Sequence, residues 1–189
     1  MFKIKVFLAG VLLVSGNLVS AGSDLLSSCS NHETRARIVA TATAELHVRE
    51  DLAANDAVRI REYKSVIKSR FNYPVAWCGI FTAYCFKTNG IEPPKGAEWV
   101  PSWTADKKRV IYQRGHSENQ YPCPGDAVTF YYPKQGREGH VGIVKTWPIE
   151  GNYFWTIEGN TNAAGSREGD GVYIKMRRKT DAYKIIRLI

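Results

Sequence analysis

Helical periodicity comes first along this chain, and strand-like segments come only afterwards. Apolar residues recur at three- and four-residue spacing in segments at 33–48, about 55–67 and about 77–89. Short segments rich in β-branched and aromatic residues follow at 127–132, 140–147, 153–158, 172–177 and 183–188. Because helices followed by strands are typical of α+β proteins, we predict N-terminal helices packed on a mainly antiparallel sheet of about five strands. The aromatic stretch between the two blocks, at 95–126, is predicted to be a loop.

The N-terminus has the pattern of a secretory signal. Lys3 and Lys5 precede an apolar run at 6–14, and small residues around Ala21 suit cleavage. The run is too short to span a bilayer core of about 30 Å. We therefore predict a signal peptide at 1–21, a tail at 22–32 and one folded domain at 33–189. The protein is expected in the periplasm or secreted, without stable membrane insertion after cleavage. In an alternative interpretation, 26–29 is a lipobox and Cys29 carries a lipid.

The 189 residues carry 26 Lys and Arg against 18 Asp and Glu, a net charge of +8. Such an excess favours a polyanionic partner, which could be nucleic acid, an anionic membrane or an acidic envelope polymer. No helix-turn-helix, RNP-like or zinc motif is present, so nucleic acid is not expected as a partner. No loop has the acidic cluster of a calcium site, so we predict no metal and no cofactor.

Among the four cysteines, Cys78 is placed best for chemistry. It lies at the start of the third predicted helix, where unpaired N–H groups and a partial positive charge favour thiolate over thiol. The same N–H groups can stabilise an oxyanion. In the alternative interpretation Cys78 is only a small buried apolar residue. Cys85 lies in mid-helix, and Cys29 and Cys123 lie in the tail and a loop. The sequence does not say which two of these three form a disulfide.

His140 is the best candidate for a base, because it follows a glycine-containing loop and opens an apolar strand. If the strands around the turn at 148–152 pair antiparallel, opposed positions sum to about 299, and His140 faces position 159. Its neighbours across the ladder are then Glu158 and Asn160, which point to one face of the strand. Either side chain could accept the imidazole N–H.

Four short motifs carry a family resemblance. They are Trp77-Cys78, Pro124-Gly125-Asp126, Gly139-His140-Val141-Gly142-Ile143-Val144 and Thr156-Ile157-Glu158-Gly159-Asn160-Thr161. In this order, and with the lead-in at 48–63, they resemble the CHAP group of cysteine, histidine-dependent amidohydrolases and peptidases. These are papain-like bacterial and phage enzymes that cut peptidoglycan. The resemblance spans about residues 38–176.

The resemblance implies a papain-like fold and a role for each matching residue. It implies that Cys78 is the nucleophile, that His140 is the base and later the acid, that Glu158 orients His140, and that Asn160 is an additional polar partner. Residues expected to contact substrate or the oxyanion are Asn72, Tyr73, Trp77 and Trp103. For the two tryptophans, a place in the core is an equally good interpretation.

The function implied is hydrolysis of an amide or peptide bond of peptidoglycan through a thioester acyl-enzyme. Whether the bond lies within the stem peptide or joins it to the glycan is left open. So is the choice between remodelling of the cell's own wall and an antibacterial role. A non-catalytic envelope-binding module of the same fold is the alternative function. The expected partners are the peptidoglycan substrate and a cognate inhibitor or immunity protein.

Overall fold

A computed structural model describes residues 29–51, 55–117, 119–164 and 169–189. The predicted signal peptide and most of the predicted tail lie outside the described residues. Three α-helices are described: α1 (His32–Ala44), α2 (Val58–Val66) and α3 (Cys78–Thr88). Each matches a predicted segment, although α1 ends four residues before the predicted end. The reason is that Val48 accepts a backbone hydrogen bond from Val172, and Arg49 pairs with Gly171.

The described strands form one antiparallel sheet in the order β1-β6-β2-β3-β4-β5. Their bounds are β1 (Val110–Gln113), β2 (Ala127–Tyr132), β3 (Arg137–Thr146), β4 (Tyr153–Thr161), β5 (Gly171–Arg178) and β6 (Ala182–Ile186). The α+β class is therefore confirmed. The sheet has six strands rather than five because β1 lies within the predicted loop. With four residues and one buried side chain, Ile111, β1 is too short to show an alternating pattern.

Helix α3 is central to the hydrophobic core. Its residues from Cys78 to Phe86 are all buried, so it is enclosed on every side. It contacts α1 and α2, and it packs on β3 and β4 of the sheet. A smaller apolar cluster that includes Val128, Phe130 and Phe154 forms a second part of the core. The start of α3 is thereby fixed relative to β3 and β4.

One disulfide joins Cys29 to Cys123, while Cys78 and Cys85 are free. The disulfide connects the segment before α1 to the turn before β2. Because its sulfur is already bonded, Cys29 in this form cannot carry a thioether-linked lipid. Within the described parts of the chain, every helix is too short or too polar to cross a bilayer.

Candidate active site

Cys78 is the first residue of α3, and its side chain is 5% exposed. The N–H groups of a first helical turn have no carbonyl partner within the helix. Gly79 allows the neighbouring chain to approach this turn, because a Cβ there would lie 2.2 Å from the carbonyl oxygen of Ala97. The Trp77 N–H just before the helix donates to Asn160 Oδ1 at 3.0 Å. Contacts with two other segments therefore fix the start of α3.

His140 lies on β3, and its ring is almost completely buried. Its Nε2 atom is 2.9 Å from Glu158 Oε2 on β4. The hairpin pairs Ile143 with Ile157 and Val144 with Thr156, so opposed positions sum to 300 rather than the predicted 299. Glu158 still reaches His140 diagonally. Because Glu158 engages Nε2, Nδ1 is the ring nitrogen available to the Cys78 side chain, which lines the same cavity as His140.

Glu158 is fully buried and is held by several donors. Thr156 Oγ1 donates to its Oε1 at 2.5 Å. Arg177 on β5 donates to both carboxylate oxygens, from Nε at 2.8 Å and from Nη2 at 2.5 Å. Together with His140, these contacts occupy both oxygens. They leave the carboxylate little freedom to turn away from the imidazole.

Asn160 lies beside this group without bonding His140. Its backbone φ is +53°, a left-handed conformation that is uncommon for residues other than glycine. Its Oδ1 accepts from Trp77, and its Nδ2 donates to Asn55 Oδ1 at 3.0 Å and to Glu50 Oε1 at 3.4 Å. Asn160 therefore connects the end of β4 to the start of α3 and to the segment after α1.

The surroundings of Cys78 and His140 favour a thiolate–imidazolium pair. Burial raises the pKa of the Cys78 thiol, but the His140 charge and hydrogen bonds with His140 and the backbone of Val141 and Gly79 outweigh burial and lower the pKa. Burial lowers the pKa of His140, but the charge of Cys78 and hydrogen bonds with Cys78 and Glu158 raise it to about 10. Burial raises the pKa of Glu158, but hydrogen bonds from Arg177 and His140 hold it well below its usual range. A thiolate and an imidazolium can therefore coexist near neutral pH.

Residues 69–160, which contain Cys78, His140, Glu158 and Asn160, match the family model of the CHAP domain. The predicted CHAP resemblance is confirmed. Among curated proteins, no sequence matches this chain significantly.

Two solved structures are similar to this chain. One is an NlpC/P60 family protein from Bacillus cereus, with 16% identity and a TM-score of 0.46; the match covers 82% of this chain and 40% of that one. The other is the peptidoglycan hydrolase RipB from Mycobacterium tuberculosis, with 18% identity and a TM-score of 0.45; the match covers 86% of this chain and 70% of that one.

A cavity of about 190 Å³ lies beside the start of α3, next to the turn between β2 and β3. Its lining residues are Asn55, Ala76, Cys78, Tyr132, Gln135, Arg137, Gly139, His140 and Asn160. The cavity thus brings together three of the four predicted catalytic residues, and Glu158 lies behind His140. Among the described residues, no group of three or more His, Cys, Asp or Glu side chains could hold a metal ion.

The residues expected to contact substrate do not line this cavity. Asn72 lines a separate pocket beside α2, and Tyr73 packs edge-on against Phe71. Trp77 and Trp103 are buried in the core, where their indole N–H groups donate to Glu50 Oε1 and to the Ala97 carbonyl oxygen. Buried rings have no surface to offer a substrate, so for the two tryptophans the core interpretation is the correct one.

Sequence reasoning missed three residues of this region: Arg177, Arg137 and Gln135. Arg177 could have been found, because a carboxylate at the end of an apolar strand needs a cation when it is buried. Arg137 and Gln135 lie in and beside the turn between β2 and β3, where the sequence has no periodicity to predict direction. Only the fold shows that both border the cavity.

Proposed function

We propose that this chain is a cysteine hydrolase that cleaves an amide or peptide bond of bacterial peptidoglycan. The observation that carries the proposal is the relay from Cys78 through His140 to Glu158, with the thiol at the start of a helix. A thiol, an imidazole and an orienting carboxylate in this order form the general arrangement for nucleophilic acyl transfer. The CHAP match at 69–160 supports peptidoglycan as the substrate.

In the first half of the reaction, the Cys78 thiolate attacks the carbonyl carbon of the scissile bond. N–H groups of the first turn of α3 stabilise the oxyanion. The C–N bond then breaks, and the His140 imidazolium gives its proton to the leaving amine. The products of this step are a free amine and a thioester that links the acyl group to Cys78.

In the second half, water attacks the thioester carbonyl and gives a proton to neutral His140. The C–S bond breaks, the acid product leaves, and the thiolate–imidazolium pair is restored. Glu158 keeps the imidazole in one orientation and stabilises its charged form throughout. Asn160 supports the geometry through Trp77, whose peptide N–H it fixes immediately before the nucleophile.

Export is part of the proposal. The pattern at 1–21 predicts a signal peptide, and the Cys29–Cys123 disulfide suits an oxidising compartment. N-terminal sequencing of protein recovered from the producing cells tests this point. A mature chain that starts at Gly22 is expected, and a chain that still starts at Met1 would contradict it.

The test of the proposed activity is digestion of purified peptidoglycan followed by mass spectrometry of the soluble products. Each cut should add one water and expose a new amine, and the fragment masses distinguish cleavage within the stem from cleavage at the glycan. Cys78→Ala should release nothing above background. Cys85→Ala is the matched control, because Cys85 is buried seven residues further along the same helix. Failure of the wild-type protein to release fragments from walls of several chemical types would contradict the proposal.

A further inference from the structure

The cavity beside Cys78 has positively charged side chains in its wall, and none of the described residues that line it is acidic. Its lining contains Arg137 and His140 but neither aspartate nor glutamate. Among the described residues, Arg137 forms no ion pair. A half-buried guanidinium without a carboxylate partner is unusual next to a reactive group, because burial without a partner costs free energy. This is the arrangement expected where the anion arrives with a ligand.

Arg137 is held in place by two contacts, and one edge of its guanidinium has no partner among the described residues. Its guanidinium carbon lies 4.1 Å from the centre of the Trp99 ring, and Nη1 donates to the Glu138 carbonyl oxygen at 2.9 Å. No hydrogen bond from Nε or Nη2 to a described residue is found. These two N–H groups form the side-on fork that binds both oxygens of a carboxylate. The stacked and tethered side chain loses little entropy on binding.

Gln135 supplies a second unsatisfied group on the same wall. Its Oε1 atom is buried and has no hydrogen-bond partner, and among the described residues it is the one buried side-chain polar atom in this condition. A buried acceptor without a donor costs about 1–3 kcal/mol, so it needs an explanation. A ligand that carries an N–H group near a carboxylate would satisfy both residues at once.

We propose that Arg137 and Gln135 form a subsite for a free carboxylate of the stem peptide, next to the bond that Cys78 attacks. The inference rests on the proposed function and adds the substrate class: stem peptides in which the residue beside the scissile amide is an acid rather than its amide. Arg137 binds the carboxylate and Gln135 accepts an adjacent peptide N–H. Arg137 and Cys78 line the same cavity, which has a volume of about 190 Å³. The carboxylate therefore belongs to the attacked residue or to its immediate neighbour.

The test uses two synthetic stem peptides that differ only in this group, one with a free carboxylate and one with the primary amide. For wild type, kcat/KM should be roughly 10- to 100-fold higher for the carboxylate peptide, the range for a hydrogen bond to a charged group. Arg137→Gln should lose this preference, mainly through a higher KM for the carboxylate peptide. Gln135→Met should weaken both peptides alike.

Arg114→Gln is the matched control. Arg114 also stacks on an aromatic ring, 5.5 Å from the centre of Tyr183, and donates to a backbone carbonyl, that of Thr180, at 3.1 Å. It does not line the cavity, so its removal should leave the preference intact. Equal cleavage of both peptides by wild type, or an equal loss on both in Arg137→Gln, would overturn the subsite.

A binding measurement separates this inference from the proposed hydrolysis. Calorimetric titration of Cys78→Ala with each peptide should show tighter binding of the carboxylate form, and Arg137→Gln in that background should abolish the difference. A preserved binding preference without any hydrolysis by wild type would reject the hydrolase and keep the subsite. Hydrolysis by wild type without a binding or rate preference would keep the hydrolase and reject the subsite.

Discussion

Removal of the Arg177 side chain should destabilise the fold, because Arg177 neutralises the buried Glu158 carboxylate of the candidate site. It donates to both oxygens of Glu158, whose side chain is fully buried, while its own side chain is 22% exposed. Arg177→Met removes the charge and keeps an apolar chain of similar length beside Phe130, whose ring centre lies 4.9 Å from the guanidinium carbon. Removing one partner of a buried ion-pair network costs about 3–5 kcal/mol, because the buried charges of Cys78, His140 and Glu158 are then left with one uncompensated negative charge. For a domain of this size, that loss lowers the melting temperature by roughly 6–20 °C.

The assay is urea denaturation of the oxidised protein, with Arg178→Met as the control. Arg178 follows on the same strand and is exposed, so its substitution should change the free energy of unfolding by less than about 0.5 kcal/mol. The double variant Glu158→Gln with Arg177→Met should be more stable than Arg177→Met alone, because no buried charge is left unpaired. A loss below about 1 kcal/mol for Arg177→Met, or a double variant no more stable than that single variant, would show that Arg177 does not stabilise the buried Glu158 carboxylate.

Three further predictions concern the site and its support. Gly142→Ala places a Cβ 2.6 Å from Glu158 Cγ, so it should lower the free energy of unfolding by about 1–3 kcal/mol and also lower kcat. A wild-type kcat in this variant would contradict the close packing of Gly142 on Glu158. The rate of Cys78 alkylation should rise with pH through the lowered pKa of the thiol and then level off. The value of kcat/KM should fall above about pH 10, because His140 then loses the proton that the leaving amine needs. If the Cys78 thiol instead titrates near its usual pKa of 9.0, the ion pair with His140 is contradicted. Reduction of the Cys29–Cys123 disulfide, which spans 94 residues, should lower the free energy of unfolding by about 4–5 kcal/mol, measured by urea denaturation. An unchanged urea midpoint would show that the disulfide does not stabilise the fold.

The sequence predicted the fold class and the position of the thiol because both depend on local patterns. Helical periodicity located α3, and the position of Cys78 at its start follows directly. The hairpin argument brought Glu158 to His140 despite a register error of one position. The diagonal contact survives because the Glu158 side chain is long enough to reach the imidazole.

The remaining parts of the site depend on contacts that no local pattern encodes. Arg177 reaches Glu158 from the neighbouring strand, and Arg137 borders the cavity only because the turn after β2 folds beside α3. Trp77 and Trp103 could not be assigned, because a tryptophan has the same sequence signal in a core as in a binding groove. Asn160 differs from expectation because its left-handed backbone directs the amide to Trp77 and Asn55.

The proposed hydrolysis of peptidoglycan depends on Cys78 as the attacking nucleophile. The most direct measurement is the initial rate at which new amino groups are released from purified peptidoglycan by wild type, Cys78→Ala and Cys85→Ala at equal concentration. We expect Cys85→Ala to keep the wild-type rate within a few-fold and Cys78→Ala to lose about 10⁴-fold or more. Release by Cys78→Ala at a rate within about tenfold of wild type would contradict this role of Cys78.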